Sequence, residues 1–359
     1  MMATSNSYII KRVFWAIPTI VLVSVLAFLL SRSVPNNSAQ TLLQLQGVDV
    51  FDSNYEQEYD KLIQQLKLDK PIFYLSVETR TVGEGGFHYP VLHLNGFDNQ
   101  YHYWMKDIFQ GNFGKSIIDG KPAINKINQA LKWTLFLLFW NIILTLVCST
   151  LLGVYNGFNK GSIIDVLSDI VLTIIYALPL FWLATMALVF FTNPEYGMWW
   201  FKSTGYWYSD ESSFLKMAFG SFGNFVLPLI LLVLADCAYL SRMIRNGVIE
   251  ELKEDYVQVA RAKGMSELQI AKKHVLRNAL TPSITLISGA IPNAIGGSLI
   301  IEVIFNIPGV GRLLLESIKL ADWNIVFGII ILVSLITVVF FILGDLIVAK
   351  LNPKVNLDK

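Results

Sequence analysis

The groups in this sequence that could act on a bond or hold a metal are four histidines, two cysteines and a few carboxylates in apolar surroundings. His88, His93, His102 and His274 all fall in segments that read as aqueous, so Gly296-Gly297-Ser298, which lies in an apolar run, has no histidine partner there. Acid–base catalysis needs donor and acceptor within hydrogen-bond reach, and this arrangement supplies neither. Asp236 and Asp345 both occupy apolar surroundings, the least that an intramembrane aspartyl protease requires, but no motif links them. GNFGKS invites a phosphate-loop reading and fails it, because the pattern needs glycine at the position of Phe109. Cys148 and Cys237 sit in apolar runs without a CxxC neighbour, which reads as two small buried hydrophobes and no metal site.

The elements that carry these residues point to a membrane. Of 359 residues 54% are hydrophobic and 15% charged, where soluble domains carry about a quarter charged. A net charge of +1, from 28 basic and 27 acidic residues, builds no one-sign field for nucleic acid. A spanning helix needs about 20 mostly apolar residues, and six stretches qualify: 13–30, 133–154, 166–191, 225–240, 284–305 and 325–348. The first follows Lys11 and Arg12 and reads as a retained anchor, since SRSVPNNS makes a poor cleavage site. Residues 241–283 hold Arg242, Arg245, Lys253, Arg261, Lys263, Lys272, Lys273 and Arg277, and the tail adds Lys350, Lys354 and Lys359. Basic residues near spans resist translocation, so these parts face the cytoplasm, with both termini. The division is then a tail (1–12), a first span (13–30), an extracytoplasmic domain (31–132), a five-helix core (133–348) with a cytoplasmic loop at 241–283, and a tail (349–359).

The extracytoplasmic region is long enough to fold. Ser53-Asn54-Tyr55-Glu56 reads as a capping box, and Tyr55, Tyr59, Leu62, Ile63 and Leu66 follow at helical spacing, predicting a helix that ends near Leu68. In VLHLNGFDNQYHYW, Asn95-Gly96 lies between extended runs and predicts a hairpin turn.

Between two apolar runs, DYVQVARAKGMSELQIAKKHVLRNALTP (255–282) is polar. Acids before it, Arg261 and Lys263 at its end and Gly264 as a left-handed C′ residue describe a short helix with a firm stop. Ser266-Glu267-Leu268-Gln269 is a capping box for a second helix, with Leu268, Ala271, Val275, Leu276, Ala279 and Leu280 as its apolar face. Two readings stand side by side. The pair could lie on anionic lipid, or it could be a knob for a soluble partner, with Ala260 and Ala262 allowing close approach and Arg261 and Lys263 meeting carboxylates.

Within the apolar runs Asn141, Asp236 and Asn293 are candidates for a pathway, with helix packing, or for Asp236 a local pairing near Arg242, as the plainer roles. Glu302 and the turn Pro308-Gly309-Val310-Gly311-Arg312 form a candidate outer gate or scaffold, in which the carboxyl could accept backbone N–H bonds.

ARAKG followed by RNAL and proline resembles the cytoplasmic signature of ABC importer permeases of the oligopeptide/dipeptide (and nickel) family. The resemblance extends to LKLDKPIFY (66–74), FQGNFGKS (109–116), KPAINKI (121–127) and SLIIEVIFNIPGVGRLLLESIKLADW (298–323), in order over most of the chain. It implies an all-α integral membrane protein with six transmembrane helices of the type I ABC importer permease fold and an α+β extracytoplasmic insertion between helices 1 and 2. It further implies a transport subunit of the bacterial inner membrane, most simply for peptides, with no reaction of its own. Its partners would be a second homologous permease, two cytoplasmic ATPases that carry ATP and Mg, an extracytoplasmic solute-binding protein and membrane lipid. Asp255, Tyr256, Ala260, Arg261, Ala262, Lys263 and Gly264 would belong to the coupling helix seated in an ATPase groove. Gln258, Val259 and Ala260 stand where the general signature has Glu-Ala-Ala, Lys132 where proline is frequent and Asn112 where aspartate is, and the stretch from about 77 to 100 carries extra residues. The rival classes are an intramembrane protease and a channel or transporter not driven by ATP; no matching inverted halves support the latter.

Overall fold

A computed structural model describes residues 2–33, 54–82, 87–195, 198–202, 214–280 and 298–351, with isolated positions between 40 and 51. The chain packs as two compact units: one of Met1–Ile17, Gln129–Leu313 and Val333–Lys359, the other of Pro18–Asn128 and Leu314–Leu332.

The second unit takes helix α1 (Met2–Ser33) from Pro18 onward, helix α2 (Tyr55–Gln65), strands β1 (Leu75–Val82) and β2 (Phe87–Leu94), helix α3 (Gln100–Phe109), and the ends of longer helices described below. β1 and β2 pair antiparallel, Leu75 opposite Leu94 and Val82 opposite Phe87. This moves the expected hairpin turn: the strands are joined by residues 83–86, and Asn95-Gly96 follows β2 instead. Asn95 closes the ribbon's open end, its Nδ2 donating to Phe73 O at 3.0 Å, while Asn99 caps α3 by accepting from His102 N at 2.8 Å. The segment QYHYW is therefore helical. The expected capping box of α2 is not formed as read: Asn54 is the N-cap and makes no side-chain cap bond, Ser53 lies outside the described residues, and the helix stops at Gln65 before Lys67 takes a left-handed φ of 54°. An aromatic core of Phe28, Phe73, Tyr101 and Trp104 ties these pieces together, with ring centroids 4.9 to 6.0 Å apart. Tyr101 Oη lies 2.8 Å from Ser24 Oγ. Lys70 donates to Asp98 at 3.0 Å and Tyr103 Oη donates to its other oxygen; these bonds hold the Asp98 carboxyl below the usual carboxylate range, and the same pairing raises the Lys70 ammonium.

The first unit is built on helices α4 (Ala123–Phe158), α5 (Ile163–Ala177), α6 (Leu180–Thr192), α7 (Phe214–Gly220) and α8 (Phe222–Glu251). Beyond them lie α9 (Asp255–Ala262), α10 (Glu267–Ile270), a π-helical turn (Ala271–Val275), α11 (Leu276–Ala279), a helical segment at 298–304, α12 (Val310–Lys319) and α13 (Trp323–Leu351). Among the described residues α4, α8 and the Trp323–Gly344 part of α13 are long and apolar enough to cross a membrane, α5 with α6 would make a fourth span, and α1 carries a shorter apolar stretch, Phe14–Leu30. The stretch expected at 284–305 falls mostly outside the described residues.

Residues 166–191, read as one straight span, are broken by 102° between α5 and α6. Pro179 explains the break. It disfavours helical geometry at the residue before it and lacks an N–H; Leu178 accordingly sits at ψ 136°. The helix that begins near 225 does not end near 240, as its apolar run suggested, but continues to Glu251. Its far end is held against α4 by the spacing Gly153-x-x-x-Gly157. A Cβ at Gly153 would stand 2.7 Å from Ser241 O, and one at Gly157 2.5 Å from Val248 Cγ1. One apolar core gathers Trp133, Leu137, Phe225, Ile301 and Phe305; a second gathers Leu240, Ile244, Val248, Val257, Ala260, Ile270, Val275 and Ala279. Cys237 is buried as expected of a small hydrophobe, whereas Cys148 is exposed on α4, on a side of the helix that the chain itself does not cover.

Candidate functional site

The polar stretch forms a corner on the end of α8. The chain leaves α8 through Leu252–Glu254 and enters α9 with Asp255 in its first turn and Arg261 in its last, the charge order a helix dipole favours. α9 closes in a Schellman motif: Gly264 N donates to Arg261 O at 2.9 Å and Met265 N to Ala260 O at 3.2 Å, with Gly264 at φ +79°. Ser266 and Gln269 then exchange side-chain and backbone bonds, at 3.4 and 3.1 Å, to start α10.

Burial decides which side of this corner faces the chain. Val257 and Ala260 point inward against Ile244 and Val248, joined by Ile270, Val275 and Ala279. Ala260 is thus part of this chain's own core, and its small size serves that packing; the expectation that it meets a partner is corrected. The apolar face of the second helix forms at Ala271, Val275 and Ala279, which are buried, and is corrected at its start. Leu268 is 65% exposed and Ile270 is fully buried. The π-helical turn adds a residue to the turn it occupies, so Ile270 joins Ala271, Val275 and Ala279 on the inward side. Tyr256, Val259, Ala262, Lys263, Gly264 and Leu268 form the exposed surface with Asp255.

Several polar groups of the corner are already engaged. Arg261 makes a two-pronged bond to Glu267, at 3.0 and 3.2 Å. Lys263 makes no ion pair among the described residues. Tyr256 Oη donates to Glu251, and Asn278 Nδ2 donates to both, at 3.1 Å to Glu251 and 3.0 Å to Tyr256. Gln258 Nε2 donates to Leu252 O at 3.1 Å, a bond that a carboxylate at this position could not make. On the neighbouring flank Arg245 grips Asp165 at 2.6 and 2.7 Å, Asp165 accepts from Gly161 N at 2.9 Å, and Arg242 pairs with Asp169 at 2.6 Å. Sequence reasoning missed both pairs because the partners lie 80 and 73 residues apart and share no period.

A second constellation surrounds Glu302. Its side chain is fully buried, not solvated, and all its bonds are accepted ones: from Thr134 Oγ1 at 2.7 Å, Ser298 Oγ at 3.1 Å, Gly311 N at 2.6 Å and Arg312 N at 3.3 Å. Thr134 Oγ1 also accepts from Val310 N at 2.8 Å. The N–H groups of Val310, Gly311 and Arg312 are the unpaired donors at the start of α12, so Glu302 and Thr134 together cap that helix from outside it. Gly309 and Gly311 leave room for the carboxyl, since a Cβ on Gly309 would stand 2.5 Å from Glu302 Oε2. Pro308 leads into this turn, and Arg312 Nη1 donates to Asn306 O at 3.1 Å. Thr134 carried no predicted role; its only signal was its place in Trp133-Thr134.

Asn141 is buried on α4 and donates to Asp236 Oδ2 at 2.8 Å, while Thr145 donates to Asn141 Oδ1. Asp236 therefore pairs across to α4 and not with Arg242, which Asp169 and Thr173 hold. Asp236 remains exposed on α8. Asn293 lies outside the described residues. In the second unit, Ser116 of the FGKS stretch donates to Asp322 at 2.5 Å and Asn324 Nδ2 donates to Lys115 O at 2.8 Å, so that stretch is a structural joint.

Comparison with known proteins agrees with this architecture. The family described as the binding-protein-dependent transport system inner membrane component matches residues 149–357. A putative peptide transport system permease protein of Brucella suis is 29% identical over 355 residues, covering 98% of this chain and 100% of that protein. The metal-staphylopine import system permease protein CntB of Staphylococcus aureus is 29% identical over 354 residues, 97% of this chain and 98% of its own length. The oligopeptide transport system permease protein AppB of Bacillus subtilis is 28% identical over 351 residues, 98% and 99%. An inward-facing structure of the MetNI methionine ABC transporter shares the fold, with a TM-score of 0.50 at 17% identity over 64% of this chain and 97% of that one. With the family match spanning more than half of its length, the chain belongs to the binding-protein-dependent transport system inner membrane components.

Proposed function

We propose that this chain is a permease subunit of an ATP-driven importer for peptides, that it pairs with a second permease, and that separate ATPase subunits act on it through residues 255–264. Relatives named for peptide and oligopeptide transport support the cargo class. The observation that carries the coupling role is the two-sidedness of α9. Its inner side is fused into the core at the end of α8, and its outer side leaves Tyr256 and Val259 exposed beside Lys263. A surface helix with no partner would gain by placing polar residues there. The carboxylate missing at position 258 shifts the contact toward the apolar Val259 and the cation of Lys263. Both termini lie in the cytoplasm on this reading, with six spans and residues 31–132 outside. Asp236, held by the buried Asn141, lines the pathway, and the turn at 308–312 forms its outer scaffold.

Val259→Glu tests the coupling role, because it changes the exposed side alone. In vesicles carrying the assembly purified from native membranes, uptake of a radiolabelled tripeptide with ATP inside should fall at least tenfold while the chain remains inserted. Uptake within twofold of the parent would refute the docking role. The staphylopine relative names a second cargo class, a metal-loaded chelator; competition of tripeptide uptake by such a chelate distinguishes the two.

A further inference from the structure

Asp236 has bonding capacity that the packing of its own chain leaves unused. It lies within the apolar run 225–240 of α8, and it is exposed. Among the described residues its Oδ2 is engaged by Asn141 Nδ2 at 2.8 Å, and its Oδ1 has no partner. The Asn141 amide is fixed in orientation. Its Oδ1 accepts from Thr145 Oγ1 at 3.3 Å, and a flip would set this oxygen against the carboxylate. Asn141 stands near the middle of the apolar run 133–154 of α4, so the carboxylate it holds lies at membrane depth.

Charge at that depth calls for a counterpart. Carboxylates inside membrane spans face protein or water and pair with other groups, because hydrocarbon does not solvate them. The basic side chains that follow on α8 are already taken, Arg242 by Asp169 and Arg245 by Asp165. Tyr239 supplies a second element. It is 55% exposed and stands three residues on, and side chains at that spacing share a face of a helix, about 5–6 Å apart at Cβ. A carboxylate attracts a cation and repels an anion, and the face of an aromatic ring attracts the same cation. Together they fit an ammonium group.

We propose that Asp236 and Tyr239 form a subsite for the α-ammonium group of the transported peptide, an inference that rests on the reading that Asp236 lines the pathway. The ammonium donates to Asp236 Oδ1, and the Tyr239 ring covers it from one side. Asn141 and Thr145 are positioning residues that keep the carboxylate aimed by holding its other oxygen. The subsite acts as a charge filter. It favours a cargo that presents an amine and disfavours one that presents an anion at the same place.

Two measurements on the assembly purified from native membranes test the subsite. In the first, this chain carries Cys148→Ser, which removes the exposed native thiol, and Tyr239→Cys as a reporter. Its reaction with methanethiosulfonates that bear trimethylammonium or sulfonate is followed by mass spectrometry of the chain. The ratio of the cationic to the anionic rate should be about tenfold higher than in the same chain with Asp236→Asn, the effect of one charge about 5–6 Å away in partly polar surroundings. Equal ratios overturn the subsite and leave the pathway standing. A thiol that reacts with neither reagent shows a surface covered by lipid or by the second permease, and overturns both. In the second measurement, vesicles take up radiolabelled trialanine with ATP inside. Asp236→Asn keeps the acceptor for Asn141 and loses the charge, and should lower kcat/KM at least fivefold; Asp236→Glu, which keeps the charge, should recover most of it. Uptake that Asn sustains as well as Asp assigns the residue to helix packing and overturns the proposal, even where Tyr239→Cys fails to assemble.

Discussion

Replacing Glu302 tests whether α12 is held by its external cap. Four donors converge on this one buried carboxyl, and two of them, Gly311 N and Arg312 N, are backbone groups that cannot rotate to another acceptor. Leucine at 302 fills similar space and leaves both N–H groups buried without a partner. At about 1–3 kcal/mol for each unmet buried donor, the loss is about 2–6 kcal/mol. Glutamine behaves differently. Its oxygen can still serve the two backbone N–H groups, while its NH2 turns toward Thr134 and Ser298, whose hydroxyls can rotate to accept it. The expected loss for Glu302→Gln is about 1 kcal/mol, that of a weakened hydrogen bond. Heating the detergent-purified full chain and measuring the monodisperse fraction by size exclusion gives an apparent midpoint. At roughly 2 °C per kcal/mol for a unit of this size, Leu should lower it by about 4–12 °C and Gln by about 2 °C. If Leu and Gln shift the midpoint equally, acceptor capacity is not what Glu302 supplies, and the cap reasoning fails.

The remaining tests concern the corner, the α4–α8 contact and the Lys70–Asp98 pair. Gly264→Ala meets no atom within 4 Å but must hold φ +79°, so its cost is backbone strain alone, about 1–2 kcal/mol, read as faster hydrogen exchange at Met265. Ala260→Leu overpacks the buried cluster and should cost about 1–3 kcal/mol, lowering the apparent midpoint even without any partner; an unchanged midpoint would return Ala260 to the outer face. Gly157→Ala drives a Cβ into Val248, and Val248→Ala in the same chain should recover most of the loss, the coupling expected of residues in contact; additive losses would exclude that contact. Asp98 is held below its usual range, so its contribution is complete above the unfolded pKa of about 3.9 and fades as pH falls through the folded value. Lys70 is raised, so its share is complete below about 10.4 and fades as pH rises beyond it. Hydrogen exchange in α3 should therefore be insensitive to this pair between these limits, and Asp98→Asn should remove the acid limb.

What could be read from the sequence was local. Gly264 as a C′ residue and the Ser266–Gln269 box depend on neighbours within a few positions, and both formed as their chemistry dictates. Local signals also misled where two competed. Asn95-Gly96 is a strong turn signal, but Gly83-Glu84-Gly85-Gly86 stood between two eight-residue runs, and cross-strand pairing used the latter. Leu178-Pro179 carried the information for a break, yet the unbroken apolar composition of 166–191 hid it. The face was misread only at the start of α10, where Leu268 stands out and Ile270 is buried, because one π-helical turn shifts the phase and periodicity assumes that none occurs. Nothing local could reveal that Thr134 and Glu302, 168 residues apart, share a bond.

The same long-range bonds constrain how force at the corner would travel. On the proposed reading an ATPase presses on α9, whose inner side is continuous with the core at the end of α8. α8 is a single helix of 30 residues, about 45 Å long at 1.5 Å per residue, so the push reaches membrane depth without a joint. Gly153 and Gly157 lock α4 to it over one turn, and Arg245–Asp165 with Arg242–Asp169 tie α5 to the same stretch. Further along, Asn141–Asp236 links α4 to α8 again. Sliding α4 past α8 would break packing at one level and a hydrogen bond at another, so these three helices should move as one body, as packed elements do. The change that opens a pathway must then fall at an edge of that body. Two edges are available, the 102° break between α5 and α6, where no continuous helical hydrogen bonding resists bending, and the surface that carries exposed Asp236 and Tyr239, which in the proposed pair faces water or the second permease. A disulfide engineered between α4 and α8 should therefore leave uptake intact, whereas one that fixes the α5–α6 angle should abolish it; loss of uptake on locking α4 to α8 would show that the body is not rigid.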